Sequence, residues 1–171
     1  MIRYIAFLRG VSPVIVKNSA LKRCFEGTGF TDVKTVLSSG NVAFTAPEQS
    51  ETSLARQAEG AMTEHLGHMF YTIVRPATVL RNLVQSDPFT TFDLPANHKR
   101  IVTFLGEPYS ASYLLPIETG DGWILAIIGG AVLSAYIPSP HGSVVMRRIE
   151  RVFGSHVTTR TWETVKKCAI V

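Results

Sequence analysis

The sequence predicts an α+β protein built as two associated halves, and three observations carry that prediction. Residues 2–8, IRYIAFL, are apolar on both faces of a strand, so the strand should be covered on both sides. Residues 33–44 read as strand, tight turn and strand, with Ser38-Ser39-Gly40-Asn41 supplying the turn chemistry. A second hairpin over 122–128 and 131–137 turns about Gly129-Gly130, where glycine accepts the positive φ that such a turn requires.

The other elements follow in chain order. After the strand at 2–8 and a connection over 10–18, Asn18 or Ser19 is placed to cap a helix with Leu21, Cys24 and Phe25 on one face. Gly27 or Gly29 ends that helix. Strands at 33–37 and 42–44 come next, and Pro47 breaks the chain. A helix over 50–66 puts Leu54, Ala58, Ala61, Met62 and Leu66 on one face, and Gly67 stops it. A strand at 69–74 closes a β-α-β-β-α-β order, which is the ferredoxin-like plan. A helix over 76–85 turns Val79, Leu80, Leu83 and Val84 inward, and residues 86–98 are a loop rich in breakers. The second half begins with a strand at 100–105 and a short helix at 111–115. The Gly129-Gly130 hairpin follows, then a helix at 144–153 and a last helix at 161–168. The fold expectation is therefore two ferredoxin-like-related halves, βαββαβ and a partial βαββα echo. The boundaries are 1–75, a helix and linker at 76–98, and 99–171.

A chain of 171 residues that is 46% apolar can bury a real core and is not disordered. No apolar run approaches the roughly 20 residues of a spanning helix, and Arg3 and Arg9 break any signal-peptide core at the N-terminus. Cys24 and Cys168 stand far apart in no metal or redox spacing, which fits free thiols in a reducing cytoplasm. Of 17 basic and 13 acidic side chains, six and two lie in residues 141–171, which leaves eleven of each before them. The whole +4 excess thus falls in the last 31 residues, as Arg147, Arg148, Arg151, Arg160, Lys166 and Lys167 against Glu150 and Glu163. Such a cluster suits an anionic partner, or is simply the solvated face of a basic helix.

Several spaced blocks carry a family likeness. They are Tyr4-Ile5-Ala6-Phe7-Leu8-Arg9-Gly10, residues 21–44, Asp87-Pro88-Phe89, Val102-Thr103-Phe104-Leu105 and residues 158–165, TTRTWETV. On these the chain resembles the uncharacterised bacterial family known as domain of unknown function 1697, over nearly its whole length. The resemblance implies an α+β protein of two ferredoxin-like-related halves and no established activity. Members of the family usually follow the Arg-Gly pair with a longer loop containing Asn and Gly-Gly-Lys-Asn. Here the loop is Val11-Ser12-Pro13-Val14-Ile15-Val16-Lys17-Asn18, shorter, apolar and without glycine.

No phosphate-cradling loop, dinucleotide fingerprint, nucleophile elbow or paired-histidine zinc helix is present, so no catalytic residue, metal ligand or cofactor is expected. The five histidines are scattered. Topology gives the sharper inference. In a ferredoxin-like half the first and third strands are antiparallel neighbours, so Arg9 and Gly10 should lie beside Ser38, Ser39, Gly40 and Asn41. The first helix starts at that same edge. A cation, small hydroxyls, an amide and a helix start on one rim suit an anion. The plainer reading is a hairpin turn beside a structural arginine. Arg160, just before the last helix, is a second candidate cation, and Trp162 reads as a core anchor.

The expected function is therefore non-enzymatic binding of a small phosphate-bearing ligand by Arg9, Ser39, Gly40, Asn41 and Arg160. One alternative is nucleic-acid association through Arg147, Arg148, Arg151, Lys166 and Lys167. RNA-recognition binding is disfavoured, because the third strand offers only Phe44 for stacking and the first strand is apolar on both faces. The other alternative is a homo-oligomeric module joined through a sheet edge or the apolar end Ala169-Ile170-Val171.

Overall fold

The computed structural model describes residues 1–106, 108–109 and 112–171. Its elements are β1 (Ile2–Leu8), α1 (Asn18–Gly27), β2 (Thr31–Thr35), β3 (Asn41–Ala46), α2 (Glu51–Leu66), β4 (Thr72–Pro76), α3 (Ala77–Ser86), β5 (Lys99–Leu105), β6 (Ile117–Glu118), β7 (Gly122–Ile128), β8 (Ala131–Tyr136), α4 (Val144–Phe153), β9 (Val157–Thr161) and α5 (Trp162–Ala169). A 3₁₀ turn spans Pro88–Thr91. The protein is mixed α/β, with two antiparallel sheets and five α-helices among the described residues.

The chain divides into two compact units, residues 1–85 with 166–171, and residues 86–165. This differs from the boundaries read from the sequence. Residues 76–85, expected as a helix between the two halves, join the first unit, where α3 buries Ala77, Leu80 and Leu83. The last six residues also return to it, and Arg3 Nε donates to the Val171 carbonyl at 3.5 Å.

In the first unit the strand order is β2-β3-β1-β4. One sheet face, carrying Tyr4, Ala6, Leu8, Val42, Phe44 and Val74, packs with Leu21, Cys24 and Phe25 of α1 and Leu54, Ala58 and Met62 of α2. Phe44 is fully buried, stacked on Phe30 at 4.3 Å and edge-on to Phe25 at 5.6 Å, so it offers no platform for a base. Ile5 and Phe7, on the other face of β1, are equally buried, as the two-faced apolar pattern predicted. The helix ends have local causes. Ser50 Oγ accepts from Ser53 N at 3.2 Å to cap α2, and Gly67 closes it in the left-handed region at φ 65°.

In the second unit the order is β6-β7-β8-β5-β9. Ile101, Leu105, Ile124, Val132 and Val157 pack with Val145 and Ile149 of α4. Gly122 is required by close approach, because a Cβ there would stand 2.1 Å from the Ala135 carbonyl oxygen. Three differences from the sequence reading fall in this unit. Residues 112–115 form no helix, and Ala111, where that helix was expected to begin, lies outside the described residues. The short strand β6 was not foreseen. Nor was β9, which pairs with β5 from Ile101–Thr161 to Leu105–Val157 and completes the strand set of this half.

Candidate functional site

The rim expected from topology is assembled within the first unit. Leu8 N donates to Gly40 O at 2.8 Å, and Arg9 N to Tyr71 O at 2.8 Å, so the end of β1 lies against the turn before β3. The start of α1 is tied to the same turn, because Asn18 Nδ2 donates to Leu37 O at 2.8 Å. That bond accounts for two departures from expectation. Lys17, not Asn18 or Ser19, is the N-cap residue of α1, and no side chain caps it. Leu37 sits at φ 59°, a strained conformation for an aliphatic residue, and the Asn18 bond helps to hold it there.

Most of the rim's polar capacity is already committed to holding the turn. The Asn41 side chain is buried, and its Nδ2 donates to Val36 O at 2.9 Å and Ser39 Oγ at 3.1 Å. Gly40 sits at φ 73°, and a Cβ on it would stand 2.7 Å from Val11 Cβ. Val11, in the apolar loop after β1, therefore closes over the turn glycine. Ser38 and Ser39 are exposed and Arg9 is half-buried.

Arg160 belongs to the second unit. Its Nη1 donates to Thr158 Oγ1 at 2.7 Å and to the Thr159 carbonyl at 2.8 Å. Trp162 is buried, with its ring edge-on to Phe89 at 5.1 Å. The segments at 87–89 and 158–165 thus meet in one aromatic contact. Arg147, Arg148 and Arg151 are all exposed on α4. Lys166 is half-buried and Lys167 exposed on α5, in the residues that rejoin the first unit. Of the apolar C-terminal end, Ala169 is buried and Ile170 exposed.

The sequence reading missed a cavity of about 290 Å³ between α1 and α2. Ala20, Arg23, Cys24, Gly27, His65 and Leu66 line it. Gly27 has only hydrogen at Cα, and a Cβ there would stand 3.5 Å from His65 Nε2, so the imidazole lies close against the α1 backbone. Burial pushes the Cys24 thiol up, opposed by the Arg23 guanidinium and a backbone hydrogen bond, so at neutral pH it is a neutral thiol. Lys22 is paired with Glu26 at 3.7 Å, whereas Arg23 forms no ion pair among the described residues. The cavity wall thus combines an unpaired guanidinium, an imidazole, a neutral thiol and the apolar Ala20 and Leu66. Among the described residues no three His, Cys, Asp or Glu side chains group as metal ligands.

The second unit carries a strong polar cap. Asp121 Oδ2 accepts from Val144 N at 2.7 Å and Oδ1 from Val145 N at 2.9 Å, which satisfies the first amides of α4. Partial burial raises the Asp121 pKa. The hydrogen bonds from Val144 N, Val145 N, Thr119 and Ser143 outweigh it and leave the pKa below its ordinary value.

No curated relative matches the chain. The fold is similar to that of the conserved bacterial protein SP0830 from Streptococcus pneumoniae. The TM-score is 0.70 at 18% identity, over 99% of this chain and 97% of that one. The model of the family described as "Protein of unknown function (DUF1697)" matches residues 1–122. With those residues matched, and with the blocks at 4–10, 21–44, 87–89 and 102–105 inside them, the chain belongs to the DUF1697 family.

Proposed function

We propose that the protein binds a small organic anion in the cavity between α1 and α2. The observation that carries this reading is the Arg23 guanidinium, without an ion pair among the described residues, on the wall of a cavity that also holds apolar groups. A guanidinium presents a planar fork of donors that suits a phosphate or carboxylate. His65 adds a hydrogen-bonding ring, and Ala20 and Leu66 suit a short apolar body. About 290 Å³ lies at the small end of ligand clefts, which favours a compact ligand such as an aryl phosphate.

The rim of Arg9, Ser39, Gly40 and Asn41 is the second reading. Its support is the start of α1, which lacks a side-chain cap beside the exposed Ser38 and Ser39. Gly40 and Asn41 support it less, since one is closed over by Val11 and the other donates within the turn. Arg160, in a different unit, enters neither reading.

The binding unit is read as a ferredoxin-like half, a reading supported by the β2-β3-β1-β4 order with α1 and α2 as crossovers. The second unit is read the same way. A reducing cytoplasm fits the two free buried thiols, Cys24 and Cys168.

A melting series with phenyl phosphate and inorganic phosphate tests the site. At a hundredfold excess over Kd, phenyl phosphate should raise Tm by about 5–10 °C. Arg23→Gln should abolish the shift and Arg9→Ala should leave it. The reverse pattern would move the site to the rim, and no shift with either anion would remove the proposal.

A further inference from the structure

Helix α4 presents a surface that the cavity does not use. Its apolar side is committed to the core of its own unit, with Val145 and Ile149 fully buried. Arg147, Arg148 and Arg151 are exposed, and no ion pair involves them among the described residues. At 3.6 residues per turn the three fall within about 100° of arc and little more than one turn of rise. Glu150 lies about 60° outside that arc. The other nearby carboxylate, Asp121, is turned to the amides of Val144 and Val145 at the helix start.

We propose that this arginine face binds a nucleic-acid phosphate backbone. Charge complementarity argues for the occupant. One turn of α-helix rises about 5.4 Å, and over that length a duplex presents about three phosphate charges. Each arginine can take a phosphate with two parallel hydrogen bonds. A membrane surface is a poorer fit, because a helix lying on lipid must bury an apolar side and that of α4 faces its own core. The contact is sequence-independent, since arginine bonds to backbone phosphates carry no sequence information.

The test is fluorescence anisotropy with the full chain, using labelled duplex DNA and single-stranded RNA at rising salt. Three phosphate contacts give a slope of log K against log salt of about −2.7 for the duplex and about −2.1 for the single strand. Between 50 and 200 mM salt the affinity should then fall about 40-fold and about 20-fold, respectively. The triple variant Arg147→Gln, Arg148→Gln, Arg151→Gln should lose the binding while melting like the parent. Each single variant should lower the slope by about 0.9 on the duplex. The paired surface variant Lys22→Gln should change neither slope nor affinity. Undiminished binding by the triple variant, or no binding at 50 mM salt, would overturn the proposal. So would displacement by polyglutamate or anionic vesicles as effective as by unlabelled DNA. Phenyl phosphate at the α1–α2 cavity should not compete, so failure here leaves the cavity reading untouched.

Discussion

The two units repeat one strand order and dress it differently. The first orders its strands β2-β3-β1-β4, and the second, apart from the added edge strand β6, orders them β7-β8-β5-β9. The anchors repeat as well. Leu8 N meets Gly40 O at 2.8 Å where Leu105 N meets Gly130 O at 2.9 Å. Arg9 N meets Tyr71 O where Gly106 N meets His156 O, both at 2.8 Å. Arg75 and Arg160 hold matching places on the last strand, paired with Ile5 and Val102, and each donates Nη1 to the preceding carbonyl at 2.8 Å. The turn glycines Gly40 and Gly130 sit at φ 73° and 76°, closed over by Val11 and Tyr109. What differs is chemistry. The first turn is fastened by the buried Asn41 amide, while the second relies on Gly129-Gly130. The first helix of the first unit forms a cavity with α2, but residues 112–115 of the second form no helix. The backbone anchors and turn glycines recur in both units, and the side chains around them differ.

Substitutions can break or sharpen that comparison. The largest effect belongs to Gly122→Ala in the second unit, since the new Cβ would meet backbone at 2.1 Å and force β7 off β8. It should cost about 3 kcal/mol or more in urea unfolding. A midpoint like the parent's would mean the strand can shift freely.

Next come the matched glycines. Gly40→Ala should cost about 2–3 kcal/mol, because positive φ and the Val11 Cβ both oppose the methyl. Gly130→Ala should cost about 1–2 kcal/mol, because its neighbour is the end of the Tyr109 ring, which can swing away. Equal costs, or the opposite order, would show that the two lids do not differ as described.

The caps separate the units by pH. Asp121 caps α4 with a carboxylate of lowered pKa, whereas Ser50 caps α2 with a hydroxyl that does not titrate. The folded pKa of Asp121 lies below the unfolded value near 3.8. Its contribution is therefore complete above that value and is lost as pH falls through the folded pKa. Hydrogen exchange should show α4 amides losing protection in acid more than α2 amides do. Asp121→Ala should cost about 1–2 kcal/mol at neutral pH and remove that difference. Unchanged relative protection in acid would contradict the cap.

The smallest effect is a gain. Ser134 is fully buried, and its Oγ has no hydrogen-bond partner among the described residues. Ser134→Ala should stabilise the protein by up to about 1 kcal/mol. A loss of that size would mean that the hydroxyl is satisfied.

Legibility in the sequence followed the range of the forces involved. Helix α4 forms over the expected 144–153, because its apolar period is local. The Gly40 and Gly130 turns were legible for the same reason. β9 was not. Val157-Thr-Thr-Arg-Thr is a β-branched run that could have signalled a strand, but its polar side chains read as a loop before a helix, and only pairing with β5 makes it a strand. Missing it left the expected second half one strand short. The junction of Arg9 with the turn and with the start of α1 was deduced from topology, but the internal use of Asn41 depends on side-chain directions within the folded turn. The cavity joins Arg23 to His65 across two helices, and no local pattern marks that meeting. The Asp121 cap likewise reaches across more than twenty residues to α4.

The most direct test of the proposed function is a backbone amide NMR titration of the full chain with phenyl phosphate. The largest shifts should fall at Ala20, Arg23, Cys24, Gly27, His65 and Leu66, with residues 38–41 nearly unmoved. Shifts centred on residues 9 and 38–41, or none above those seen with inorganic phosphate alone, would contradict a ligand seated between α1 and α2.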